Sequence, residues 1–274
     1  ESNNGPLGFS GDNLGKGRTL PTQNLVDAFP MKDGMFAGQG SKYTLNQSNP
    51  YENRDPRLDY TILHHGSSWL NNTLDISIGG VNNPSNSAEY SKTGYYMCKF
   101  MGKFGEESQY GNKIHLWVMF RYAEMLLNYA EAVYERDDKI SNTDLNISLN
   151  LVRLRVNPAM TPLTNELITQ NAGMDMRTEI HRERTIELFN EGFRLDDLKR
   201  WKTAETEMPM DIVGIQWKGT EYEKVWANCP YETNAEGCII IEKGRKWEEK
   251  NYLFPLPSDQ LQLNPNLQQN PGWE

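Results

Sequence analysis

Between Ile114 and Trp201, apolar residues recur at intervals of three and four, and this spacing restricts the fold more than any other feature of the chain. Met119, Ala123, Leu126, Leu127, Ala130, Val133 and Tyr134 fall along one stripe, which predicts a helix of about five turns. Asn142-Thr143-Asp144 supplies caps for a second helix, with Leu145, Leu149, Val152 and Val156 on its apolar face and Pro158 ending it. Joined by a short polar link, these two helices form an antiparallel hairpin. A third helix starts after Asp175 and buries Met176, Ile180, Ile186 and Phe189, while Gly192 fits a C-terminal cap or bend. The fourth runs from about residue 193 to 203 with Leu195, Leu198 and Trp201. The expected fold is therefore mainly α, with paired helices stacked as in helical repeats.

The segments flanking this core read differently. Residues 1–113 are loop-rich, 114–205 form the helical core, and 206–274 hold a hairpin and a C-terminal strap. Leu25, Val26 and Phe29 allow one or two helical turns before Pro30, and the run from Asp59 to His64 predicts a short strand. Residues 66–111 form a long loop carrying Trp69, Tyr90, Tyr95 and Tyr96. Cys238-Ile239-Ile240-Ile241 predicts a strand within a hairpin over about residues 225–242, and the two Asn-Pro pairs near the end predict an extended tail. Mean hydropathy is low at −0.72, yet aromatics reach 11%, which excludes disorder and implies a modest core wrapped in ordered polar loops.

With 28 Lys+Arg against 37 Asp+Glu, the chain carries a net charge of −9, which argues against nucleic acid or an anionic membrane as its main partner. No apolar run is long enough to span a bilayer. The chain shows neither a signal peptide nor a lipid-attachment cysteine near Glu1, so an exporting segment would lie outside it. The spacing of Cys229 and Cys238 fits either a bridged hairpin or two free thiols. Gly15-Lys16-Gly17 and Gly38-Gln39-Gly40 follow no strand, so neither supports nucleotide binding. His64 and His65, adjacent on a strand, would point to opposite faces and share no ion, and His115 and His181 lack a recognisable partner.

The densest charge lies in 181–201. Glu179, Glu183, Glu187 and Glu191 share one helical face, a pattern that could supply the paired carboxylates of a glycoside hydrolase. Arg184, Arg194 and Arg200 are close enough to neutralise them, which favours an ion-pair network between consecutive helices over acid/base chemistry. Glu183, Arg184, Glu187, Leu188, Glu191, Gly192, Arg194, Asp197, Leu198, Arg200 and Trp201 resemble a signature of the SusD/RagB family of outer-membrane nutrient-binding lipoproteins. Thr185 departs from it, standing where the family often has a second arginine. The block from Pro21 to Gly34, the run Arg54-Asp55-Pro56-Arg57-Leu58, the segment from Arg121 to Ala132, and the ending from Tyr252 to Trp273 resemble further family motifs in order and spacing.

The resemblance implies a SusD-like, tetratricopeptide-like helical scaffold with long irregular loops and minor β-hairpins, here without the family's N-terminal half. It also implies a lipid-anchored protein on the outer face of the outer membrane of Bacteroidetes. Such a protein captures oligosaccharides and delivers them to a SusC-like TonB-dependent barrel, or binds oligopeptides in RagB-like branches, and performs no catalysis. No cofactor is implied, and calcium is left open. Sugars are held by stacking on exposed rings beside hydrogen-bonding amides. On that ground Trp69 with Asn71 and Asn72 is the leading ligand site, followed by Tyr95 and Tyr96, then Trp217, Tyr222 and Trp226. Trp117 and Trp201, on helices, are expected in the core.

Overall fold

The computed structural model describes residues 4–6, 15–77, 79–82, 91–101, 118–224 and 231–274. Two short helices open it, α1 (Gln23–Ala28) and α2 (Arg57–Thr61). The strands β1 (Ile62–Leu63), β2 (Ser68–Trp69), β3 (Asn72–Thr73) and β4 (Tyr96–Met97) follow. The helical region holds α3 (Tyr122–Asp137), α4 (Asn142–Asn146), α5 (Leu149–Val156), α6 (Asn165–Gln170), α7 (Met176–Glu187), α8 (Arg194–Arg200) and α9 (Ala204–Glu207). After it come β5 (Ile212–Gln216), β6 (Cys238–Glu242) and α10 (Ser258–Leu263). The strands pair as three antiparallel two-stranded sheets, β1 with β4, β2 with β3 and β5 with β6.

The protein is mainly α with small sheets, and several local expectations are corrected. Residues 57–61 are helical rather than extended, because Asp55 accepts the Arg57 backbone N–H at 2.9 Å and starts a turn ahead of β1. Met119 is 88% exposed and precedes α3, since Arg121 is extended and drawn toward Glu187 and Glu191. The expected second helix is two: it breaks at Ile147–Ser148, where the Ser148 hydroxyl donates to the Asp144 carbonyl. On α8, Leu198 is buried and Leu195 is exposed. Helix α6 buries no residue and so leaves no apolar stripe to read, although Thr164 caps it. The partner of β6 is β5, not a strand after residue 225, and residues 225–230 lie outside the described region. The tail is not simply extended, since α10 gives it a helical turn and a half.

Two hydrophobic clusters result. One gathers Phe29, Leu58, Ile62, Leu74, Tyr95, Ile215 and Ile239 from the short helices and sheets. The other gathers Leu127, Ala130, Leu145, Leu149, Leu163 and Ile180 from α3 to α7. Helix α7 serves both, with Ile186 in the first cluster and Met176 and Ile180 in the second. At Gly34, with φ at 79°, an added Cβ would stand 2.2 Å from the Arg153 guanidinium, whose Nη2 donates to the Gly34 carbonyl at 2.8 Å. Only glycine permits that approach. Cys238 is a free thiol that burial pushes up to about 11, and Cys229 lies outside the described residues. A thiol so raised is a poor nucleophile.

Candidate functional site

The glutamate stripe is a buried seam. Glu179, Glu183 and Glu187 are almost wholly buried along α7, packed against cations from four other segments. Arg57 donates to Glu183 at 2.5 Å and to Glu187 at 3.1 Å, while Arg121 reaches Glu187 at 2.6 Å and Glu191 at 2.7 Å. Lys99 donates to Glu191 at 2.6 Å, Arg155 to Glu187 at 2.9 Å and Arg182 to Glu179. The ion-pair network is present, but its arginines are not the ones the sequence suggested. Successive residues on a helix are turned by roughly 100°, so Arg184 leaves the glutamate face and pairs with Asp197 at 2.7 Å. Arg194 pairs with Glu207, and Arg200 with Glu131.

Charge balance decides what this seam can do. Burial alone would raise the Glu187 carboxyl, but Arg57, Arg121 and Arg155 override it and hold the group at about 2. Burial raises the Glu179 carboxyl against the pull of Arg182 and Arg153. A glycosidase acid must be protonated near neutrality and open to its sugar, and Glu187 is neither. Thr185 fits the same frame without a second arginine: its hydroxyl donates to the His181 carbonyl and accepts from Arg194, both at 2.8 Å. Trp201 is half-buried, stacked 3.7 Å from His181, and donates its indole N–H to Glu131 at 2.6 Å.

Four of the rings expected to hold ligand are core instead. Trp69, Tyr95, Tyr96 and Trp217 are 7%, 1%, 0% and 8% exposed and belong to the first hydrophobic cluster. The Tyr95 hydroxyl donates to Gln23 at 2.5 Å. A segment poor in aliphatic residues builds its core from rings, so aromatic content there reflects packing before ligand contact. Asn71 and Asn72 are exposed at the turn between β2 and β3, where positive φ at Leu70 and Asn71 forms a tight left-handed turn. The Asn72 amide is spent on the Leu70 carbonyl at 3.0 Å. Tyr222 is half-buried, edge-on to His65 at 5.5 Å, and Trp226 and Trp117 lie outside the described residues. Among the described residues no group of three or more His, Cys, Asp or Glu is placed to hold a metal, and no helix is long and apolar enough to cross a membrane.

A cleft of about 850 Å³ opens instead between α1, the α7–α8 junction and the start of β5. Leu25, Leu188, Phe189, Phe193 and Met210 give it an apolar wall, and Asn24, Asp27, Asn190, Asp211 and Arg245 place amide, carboxylate and guanidinium groups around it. Asn190 with φ at 60° and Gly192 with φ at 91° turn the chain sharply here, which is the local signal that the sequence offered for it. The Arg194–Glu207 pair also lines the cleft and both partners are well exposed. Exposed pairs contribute about 0–1 kcal/mol, so Arg194→Ala is expected to leave unfolding free energy within about 0.5 kcal/mol of wild type in urea titration. Arg194 thus stands outside the glutamate network in which its sequence position had placed it.

A mainly helical scaffold, held by a buried ion-pair seam and bearing irregular loops and an open mixed-polarity cleft, defines the class. The SusD family model matches residues 2–273, and the chain belongs to the SusD family. It is similar to a SusD-like carbohydrate-binding protein from Bacteroides fragilis, with 28% identity and a TM-score of 0.73 over 95% of this chain and 50% of that one. A second SusD-like protein from Bacteroides fragilis shares 27% identity with a TM-score of 0.74 over 99% of this chain and 51% of that one. The chain thus spans about half the length of these solved structures. Among curated proteins, none matches it.

Proposed function

We propose that this protein is a glycan-capture subunit that binds oligosaccharides without turning them over and passes them to a SusC-like TonB-dependent barrel. The observation that carries this reading is the family match across residues 2–273, joined by likeness to a solved SusD-like carbohydrate-binding protein. On the same grounds the protein acts at the outer face of the outer membrane, held there by a lipid anchor. The cleft supplies what a sugar needs, an apolar wall for ring C–H groups and amides and carboxylates for hydroxyls. Glu187, buried and occupied by Arg57, Arg121 and Arg155, has no face open to a sugar, which favours binding over hydrolysis at this seam.

Calorimetry against a panel of neutral oligosaccharides tests the reading. A hit on wild type whose affinity falls about tenfold or more in Asn24→Ala with Asp211→Ala places the sugar in the cleft. Heat from peptide mixtures with a blank sugar panel would instead make the cargo oligopeptides, and reducing ends released with time would make the protein a hydrolase.

A further inference from the structure

A hydrogen-bond relay runs from the aromatic core through α1 to the wall of the cleft. Gln23 and Asp27 stand one turn apart on that helix, Gln23 buried and Asp27 exposed on the cleft wall. The Gln23 amide Nε2 donates to Asp27 Oδ1 at 2.8 Å. Its Oε1 accepts the Tyr95 hydroxyl at 2.5 Å and the backbone N–H of Gln216, at the end of β5, at 3.3 Å. Tyr51 donates in turn to the Tyr95 hydroxyl at 3.3 Å, so three donors in series point from the core toward the Asp27 carboxylate.

This arrangement leaves Gln23 one orientation. Donors from two separate segments face its Oε1, and turning the amide over would set its NH2 against both of them. Nε2 is thereby aimed at Asp27. Helix α1 is itself clamped: Thr22 accepts the Leu25 N–H at its start, and the Arg54 guanidinium donates to the Val26 and Phe29 carbonyls at 2.7 and 2.8 Å at its end. One Asp27 oxygen is taken, and among the described residues the other accepts no hydrogen bond. Burial raises the Asp27 carboxyl, and the Gln23 bond and the Arg54 charge oppose that rise. Its other titratable neighbours are the Tyr51 and Tyr95 hydroxyls and the Cys238 thiol, and the charges around the cleft are Arg184, Arg194, Arg245, Asp197, Glu207 and Asp211.

Given that the cleft is where a sugar binds, as proposed above, we propose that Gln23 is its positioning residue, fixing the Asp27 carboxylate so that the second oxygen accepts a ligand hydroxyl. Gln23 touches no ligand itself. Its donor removes freedom from the Asp27 side chain before binding, so less order has to be imposed when the sugar arrives. A glutamine that merely fills the core would show no coupling to Asp27 in binding.

Two measurements on the whole chain test this. In the first, carbon-13 NMR follows the Asp27 carboxyl with pH, assigned through Asp27→Asn, in wild type and in Gln23→Met, which keeps the side-chain length and drops the donor. The midpoint is expected to rise by about half a pH unit or more in Gln23→Met, because a bond to the ionised form is lost. In the second, calorimetry at pH 7 uses maltohexaose, cellohexaose, mannohexaose and xylohexaose. Affinity is expected to fall about tenfold in Asp27→Asn and about fivefold in Gln23→Met, and no further in the double variant than in Asp27→Asn alone. Should Gln23→Met fail to fold, Tyr95→Phe keeps its ring in the core while loosening the lock on Oε1, and midpoint and affinity are expected to move in the same directions by smaller amounts. An Asp27 midpoint equal in wild type and variant, or losses that multiply in the double variant, would overturn the role of Gln23. If wild type binds none of the four sugars, the reading of the cleft falls, and the NMR midpoint alone upholds or overturns the hold of Gln23 on Asp27.

Discussion

Arg57→Ala is expected to cost about 3–5 kcal/mol, the largest loss of any single substitution in the ion-pair seam. The guanidinium is buried and donates at once to Asp55 at 2.7 Å, Glu183 at 2.5 Å and Glu187 at 3.1 Å. Its removal leaves the Asp55 and Glu183 carboxyl groups buried without their main hydrogen-bonding partner, and that desolvated polarity, more than the lost bonds, sets the magnitude. In a chain of this length the midpoint of thermal unfolding should fall by roughly 10 °C. Arg136→Ala is the control: its pair with Asp137 is exposed, and its loss should change the midpoint by no more than about 2 °C. Equal, small shifts in both variants would show that the seam contributes little.

Acid should weaken the fold through Glu187 in a defined window. Its carboxyl lies at about 2 in the folded protein against 4.5 ordinarily, so its contribution is complete above pH 4.5 and is lost as pH falls toward 2. At 1.36 kcal/mol per unit, the loss across that window is about 3 kcal/mol. Glu179 works the other way, since burial raises its carboxyl and acid relieves the cost of keeping it charged. Glu187→Gln should therefore start less stable at pH 7 and decline less steeply between pH 4.5 and 2 in urea titrations. Parallel pH curves for variant and wild type would remove Glu187 as the source.

The sequence made the helical region legible because periodicity and burial share one cause. Leu127, Ala130, Leu145, Leu149, Val152 and Ile180 fall at the spacing that packing requires, and all are core. The Asp175 cap was readable too, since its side chain accepts the Thr178 N–H at 2.9 Å. The partners of the glutamates were not, because Arg57, Lys99 and Arg121 reach α7 from 66 to 130 residues away in sequence. Local spacing nominated Arg184, Arg194 and Arg200, and long-range closure chose others. The rings misled for a related reason: a tryptophan such as Trp69 has the same composition signal whether it covers a core or faces solvent. The cleft was hidden because its walls come from α1, α8 and β5, which no single window of sequence contains.

Helix α7 has a mechanical consequence. Because Met176 and Ile180 anchor one cluster, Ile186 the other, and Glu183 and Glu187 carry ion pairs along the same helix, the helix works as a common rib. Neither half of the molecule can loosen without exposing carboxylates that the other half keeps neutralised, so heat or denaturant meets one barrier instead of two.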